Sequence, residues 1–169
     1  MNSDFLLAVH GLVYLNHKKE ILSSDVLAQN ICTHPARVRR VMAKLKKAGL
    51  VETKEGRVDG GYFFSMEPQN VNLKMISNAL DVDFVTTGWH SGDPHMECKV
   101  ASGMAGIMDQ LYGQMDEQCK AFLETITIDT IDCQIFRPQE APVSSKAADS
   151  DNTSGSQPSN KKRLEEYLL

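Results

Sequence analysis

The sequence predicts a mainly α-helical protein with one small β-hairpin, and three observations predict it. Apolar residues recur at helical spacing in five separate runs. The one strand-like alternation, over 50–64, is broken by a glycine-rich tip at 56–61. Between Thr33 and Arg57 eight basic side chains face two acidic ones, a net of +6 in a chain whose total is −4. A basic block on an otherwise acidic protein is the electrostatic footprint of a polyanion-binding face.

Residues 3–16 form the first helix: Phe5, Ala8, Val9, Leu12 and Val13 share one face, and Ser3 caps the start. Ser23 or Ser24 caps a short helix over 25–30, with Val26 and Leu27 inward and Asp25 suited to its dipole. Residues 31–33 turn the chain. Thr33 is the expected N-cap of the next helix, and Pro35 falls in its first turn, where a missing N–H costs little. Val38, Val41, Met42 and Leu45 form its apolar stripe to about Ala48, and Gly49 stops it. The hairpin follows, Pro68 ends it, and 73–80 is a short helix. Residues 86–97 read as loop. A long helix over about 99–126 carries Met104, Ile107, Met108, Leu111, Tyr112, Met115, Cys119, Phe122 and Leu123 at steps of three and four. That stripe exceeds what a small core covers, so its spare face is a dimer seam or an intrachain contact. Residues 138–160 are poor in large apolar side chains, so 137–169 is expected to be a disordered tail.

Order and spacing turn these elements into a winged helix-turn-helix plus a long C-terminal dimerisation helix. The expected division is 1–80 for DNA binding, 81–136 for a sensor loop and dimerisation helix, and 137–169 for the tail. The second helix of the pair fits the major groove. Thr33, His34, Arg37 and Arg40 lie at or near its N-terminal end, as candidate base or phosphate contacts. Lys44 and the lysines beyond suit phosphates. Ser23 and Ser24 stand where helix N–H groups can hold another phosphate. Arg57, Gly60, Gly61 and Tyr62 form the wing, with glycines permitting close approach to the sugar-phosphate chain.

Cysteines stand at 32, 98, 119 and 133, with no CxxC, which argues against a disulfide framework and a zinc module. Residues 1–15 carry no basic leader or small-residue cleavage site, and their apolar run is too short to span a bilayer. A cytoplasmic protein without a membrane partner is expected. Nucleophile–base pairs, a phosphate-binding Gly-Lys motif and paired catalytic carboxylates are all missing, so no enzyme is expected.

Several runs then carry a family resemblance: Leu27-Ala28, Pro35-Ala36-Arg37-Val38-Arg39-Arg40-Val41-Met42, Leu45, Ala48-Gly49-Leu50-Val51, and Gly56 with Gly60-Gly61-Tyr62. Together they resemble the Rrf2 family of bacterial winged-helix regulators. Pro68 with Val71-Asn72-Leu73, Cys98-Lys99-Val100 and Ile126-Thr127-Ile128 extend the likeness over roughly 1–133. The resemblance implies a homodimer on a roughly palindromic double-stranded operator, often as a repressor. Several members carry Arg before the first wing glycine, where this chain has Glu55. Cluster-binding members hold an iron–sulfur centre with three closely spaced cysteines, of which only Cys98 is present; Gly92 and Met104 stand near the other places.

Cys98 opens the long helix beside Lys99, a setting that favours thiolate and reactivity toward oxidants, electrophiles or reactive sulfur. The expected protein is therefore a repressor without a cofactor, relieved by a thiol-reactive signal or small ligand at Cys98. Two alternatives stay open. One is a metal- or iron–sulfur-dependent regulator, with His90, His95 and Cys98 as metal ligands. The other is a winged-helix adaptor that docks an acidic protein.

Overall fold

Three helices, α1 (Ser3–Lys18), α2 (Ser24–Ile31) and α3 (Pro35–Lys47), pack around one apolar cluster. The computed structural model describes residues 3–56 and 59–136. The expectations for Arg57 and for the tail at 137–169 lie outside them. Leu12, Leu27, Val38, Met42, Leu45, Leu50, Val71, Ile76 and Ile128 are fully buried or nearly so. Core burial of this kind supplies roughly 25 cal/mol per Å² of apolar surface.

Local chemistry sets the helix boundaries, with corrections to the sequence reading. Ser3, expected as a cap, is the first helical residue. Ser23 caps α2, its hydroxyl accepting from the Val26 N–H at 3.3 Å. Val26 is exposed; Leu27 and Ala28 are the residues this short helix buries. Thr33 does not cap α3. Its N–H donates to the Ala28 carbonyl at 2.9 Å and so still belongs to the end of α2. The cap moves on to His34, whose Nδ1 accepts from the Ala36 N–H at 3.3 Å. Pro35 takes the first helical position, as expected.

Strands β1 (Glu52–Lys54) and β2 (Gly61–Phe63) pair antiparallel, Thr53 opposite Tyr62. Tyr62 also exchanges two backbone hydrogen bonds of 2.9 Å with Leu22, fastening the hairpin to the segment before α2. A 3₁₀ turn, Pro68–Asn70, leads into α4 (Leu73–Leu80), capped by Asn72.

The long helix α5 (Lys99–Glu124) is followed by an unexpected helix, α6 (Ile128–Phe136). Its start is fixed by Thr127, whose Oγ1 accepts from the Thr130 N–H at 3.1 Å. Ile128 enters the common core, and Ile131 packs against it. The sequence signal was present: a threonine cap before Ile128, Ile131 and Ile135 at helical spacing. Among the described residues, no helix is long and apolar enough to cross a membrane.

Candidate nucleic-acid interface

Helical geometry sorts the basic side chains of α3 into three groups. At about 100° per residue, the buried stripe Val38, Val41, Met42 and Leu45 fixes the opposite, outward face as Ala36, Arg40, Ala43 and Lys47. All four are exposed. Arg39 and Lys46 fall on the flank toward the hairpin. The structure places Arg39 Nη1 2.9 Å from the Ser24 hydroxyl and Lys46 Nζ 2.6 Å from that of Thr53. Arg37 and Lys44 fall on the other flank. Lys44 Nζ donates to the Leu80 carbonyl at 3.2 Å, at the end of α4.

Arg37 is tied to the first turn of α1. Its Nε and Nη2 donate to Asp4 Oδ1 at 2.8 and 2.7 Å, and Nη2 also donates to the Ser3 hydroxyl. Arg40 shares the carboxylate, Nη2 to Oδ2 at 3.1 Å, yet its side chain stays 65% exposed against 35% for Arg37. The Arg37 hydrogen bond, opposed by partial burial and joined by the charge of Arg40, holds the Asp4 carboxyl below its ordinary pKa. Of the residues expected near the bases, Arg40 therefore lies on the outward face. His34 serves the helix cap and Arg37 is turned sideways, as is Lys44, which was expected at a phosphate. Arg39, not singled out from the sequence, stands beside Ser24; its place on the helical wheel was the available signal.

Ser23, Ser24, Gly60, Gly61 and Tyr62 come together. With Thr53, Lys54, Glu55 and Gly56 they line an open cleft of about 350 Å³ between the start of α2 and the hairpin. Arg39 and Lys46 flank it through Ser24 and Thr53. Gly61 permits the close packing: a Cβ there would meet the Leu22 carbonyl oxygen at 2.5 Å. Burial raises the Tyr62 pKa, and nearby Arg39 only partly offsets it, so the phenol is neutral at physiological pH.

Cys98 is exposed and is the N-cap residue of α5. The backbone N–H groups of Ala101 and then Val100 lower its pKa, although neither makes a formed cap hydrogen bond to the sulfur. His90, expected beside it, instead meets Asp109 of α5, Nε2 to Oδ1 at 2.8 Å. The backbone of His95 is fastened to Asp93. Among the described residues no three His, Cys, Asp or Glu side chains converge on a metal-sized site, so His90, His95 and Cys98 are not brought together as ligands.

The family model described as an iron-dependent transcriptional regulator, Rrf2, matches residues 1–132. YwnA of Bacillus subtilis, named as an HTH-type transcriptional regulator, is 25% identical over 66% of this chain and 81% of its own. A transcriptional regulator from Lactobacillus plantarum superposes with a TM-score of 0.69 at 22% identity, over 80% of this chain and 91% of that one. CymR of B. subtilis, titled the global cysteine regulator, gives 0.59 at 17%, over 79% and 96%. These solved structures share the winged-helix fold. The donors present do not fit an iron–sulfur cluster held within one chain, since thiolates are its usual ligands and the four cysteines do not cluster. Gly92 carries no thiol, and a cysteine side chain in its place would require a shift of the loop. Its φ is +82°, and a Cβ there would lie 2.1 Å from the Ala101 carbonyl oxygen.

Proposed function

The chain belongs to the Rrf2 family of transcriptional regulators, and we propose that it is a homodimeric, sequence-specific DNA-binding repressor controlled through Cys98. The family and its relatives are regulators, not enzymes. The observation that carries the DNA reading is the outward face of α3. Small Ala36 and Ala43 let the helix approach, and Arg40 and Lys47 project from it. Arg40 is the proposed base-reading side chain, an arginine–guanine pair being the commonest specific contact. Lys46, Lys47, Arg39 and the cleft at Ser23, Ser24 and Gly60–Tyr62 are proposed to hold phosphates. Arg57 of the wing belongs to the same proposal.

The same division of labour assigns 1–80 to DNA and 81–136 to sensing and dimerisation. On α5 Val100, Ile107, Leu111, Met115 and Phe122 are all exposed, an apolar stripe suited to a second copy. Cys98 stands at the head of that stripe with its thiolate favoured. A peroxide would oxidise the thiolate to a sulfenic acid and release hydroxide. An electrophile would alkylate it. Either change alters the start of the helix that sets the spacing of the two α3 helices, and half-sites about one helical turn apart demand that spacing. A coupling of a few kcal/mol between thiol and DNA suffices.

The test is selection of bound sequences from a random duplex pool, followed by binding of the selected and random duplexes over a salt series. A preference for the selected duplex and a steep fall of affinity with salt are expected. Equal, feeble binding to both duplexes would overturn the reading and leave the adaptor.

A further inference from the structure

We propose that Asp4 is a positioning and specificity-setting residue of the DNA interface, holding Arg37 out of the phosphate-gripping set while it orients Arg40. The inference rests on the DNA-binding reading above.

Asp4 belongs to the first turn of α1 and lies 33 residues from Arg37 in sequence. It meets both arginines at one carboxylate. Arg37 spends Nε and Nη2 on Asp4 Oδ1, with a further bond from Nη2 to Ser3. Arg40 spends only Nη2. A guanidinium has five N–H donors, so Arg40 keeps most of its fork for an outside acceptor while one edge is held.

Two consequences follow from the charges. Two guanidinium groups around one carboxylate present a net charge of one, not two. Non-specific DNA affinity grows with the number of phosphates neutralised, each releasing about 0.9 counterion. Holding Arg37 aside thus lowers the affinity for any duplex. Fixing Arg40 also lessens the ordering cost of a directional base contact, which helps only the duplex that offers the matching base. The first effect lowers specific and non-specific affinity alike; the second alone widens the ratio between them. Asp4 is suited to this by its place on a core helix, since Phe5, Leu7 and Ala8 anchor that turn.

Asp4→Asn keeps the shape and removes the charge. With the full chain, binding is measured to a duplex selected by the wild-type protein and to a random-sequence duplex, each over a salt series. Asp4→Asn is expected to raise random-duplex affinity several-fold and steepen its salt dependence by about one counterion. The selected-to-random ratio should fall, and Asp4→Glu should restore part of it. Adding Arg37→Gln to Asp4→Asn should remove the extra slope. In the wild-type background, Arg37→Gln should leave the salt slope unchanged and Arg40→Gln should lower the selected-to-random ratio, a pair of readings that stands even if Asp4→Asn does not fold. An unchanged ratio and slope in folded Asp4→Asn would overturn the proposal, as would Arg37→Gln flattening the wild-type slope by about one counterion. Those results leave DNA binding intact. A wild-type chain that prefers no duplex removes the DNA reading itself, and this proposal with it.

Discussion

Asp116 shows how one side chain can join a loop to a helix. It is the residue that α5 buries, and its Oδ1 accepts from the Phe84 and Val85 N–H groups at 2.6 and 3.0 Å. Lys120 reaches its other oxygen at 2.8 Å and Asp83 at 2.7 Å. Burial pushes the Asp116 pKa up. The Lys120 hydrogen bond and the two backbone N–H groups outweigh it, and the net shift is downward. A carboxyl depressed in the folded state stabilises above its unfolded value of about 3.9, and that stability is lost as pH falls through the folded value. Asp116→Asn should therefore cost about 1–3 kcal/mol at neutral pH and lose less stability on acidification than the wild type. Thermal melts over pH 2–7 (about the span of carboxylate titration) check both. At Cys98 the expectation concerns response, not stability. Cys98→Ser should keep DNA affinity and lose its sensitivity to peroxide or an alkylating agent, read by duplex binding before and after treatment. An unchanged response would move the sensor elsewhere.

Among the elements, the hairpin depends on a backbone contact that admits no side chain. The two bonds between Leu22 and Tyr62 hold β2 against the segment before α2. Gly61→Ala places a methyl group against that carbonyl and must push the strand away. The expected outcome is weaker binding to every duplex with α-helical content preserved, measured by fluorescence anisotropy beside far-ultraviolet circular dichroism. Full affinity in this variant would mean that the cleft between α2 and the hairpin holds no phosphate. Helix α3 is robust by comparison, because its four buried side chains share one stripe and its ends are capped by His34 and Ala48. Leu45→Ala there should cost about 2–5 kcal/mol through the cavity it leaves.

At the scale of the whole molecule, the core and the long helix are unequal partners. The buried cluster draws on α1, α2, α3, α4 and Ile128 of α6, while α5 contributes no fully buried apolar side chain. Ile107 and Phe122 are each 65% exposed. Such a stripe is stable in water chiefly as an interface. Ile107→Glu should yield a folded monomer by light scattering, and its affinity for a palindromic duplex should fall to that for a half-site. A variant that remains dimeric would place the seam on another face. The apolar spacing of α5 was legible in the sequence, as was the chain order of helix, hairpin and helix. That the other described residues leave the stripe exposed was not legible, since periodicity reports a face and not its occupant.

The sequence by itself determined the helix-turn-helix, the wing and the polarity of α3. Those features rest on neighbours within a few residues: the Ser23 cap, Pro35 at a first turn, the 38–41–42–45 stripe and the glycines around the hairpin. It left α6 unread although its cap and its isoleucines were there. Only the tertiary structure decided which basic side chains of α3 face outward unshared. Arg37 is committed to Asp4 and Lys44 to the Leu80 carbonyl, each across more than thirty residues of chain. The physical reason is that helical periodicity fixes the angle at which a side chain leaves its helix. The charge it meets there is set by how α1 and α4 pack beside it.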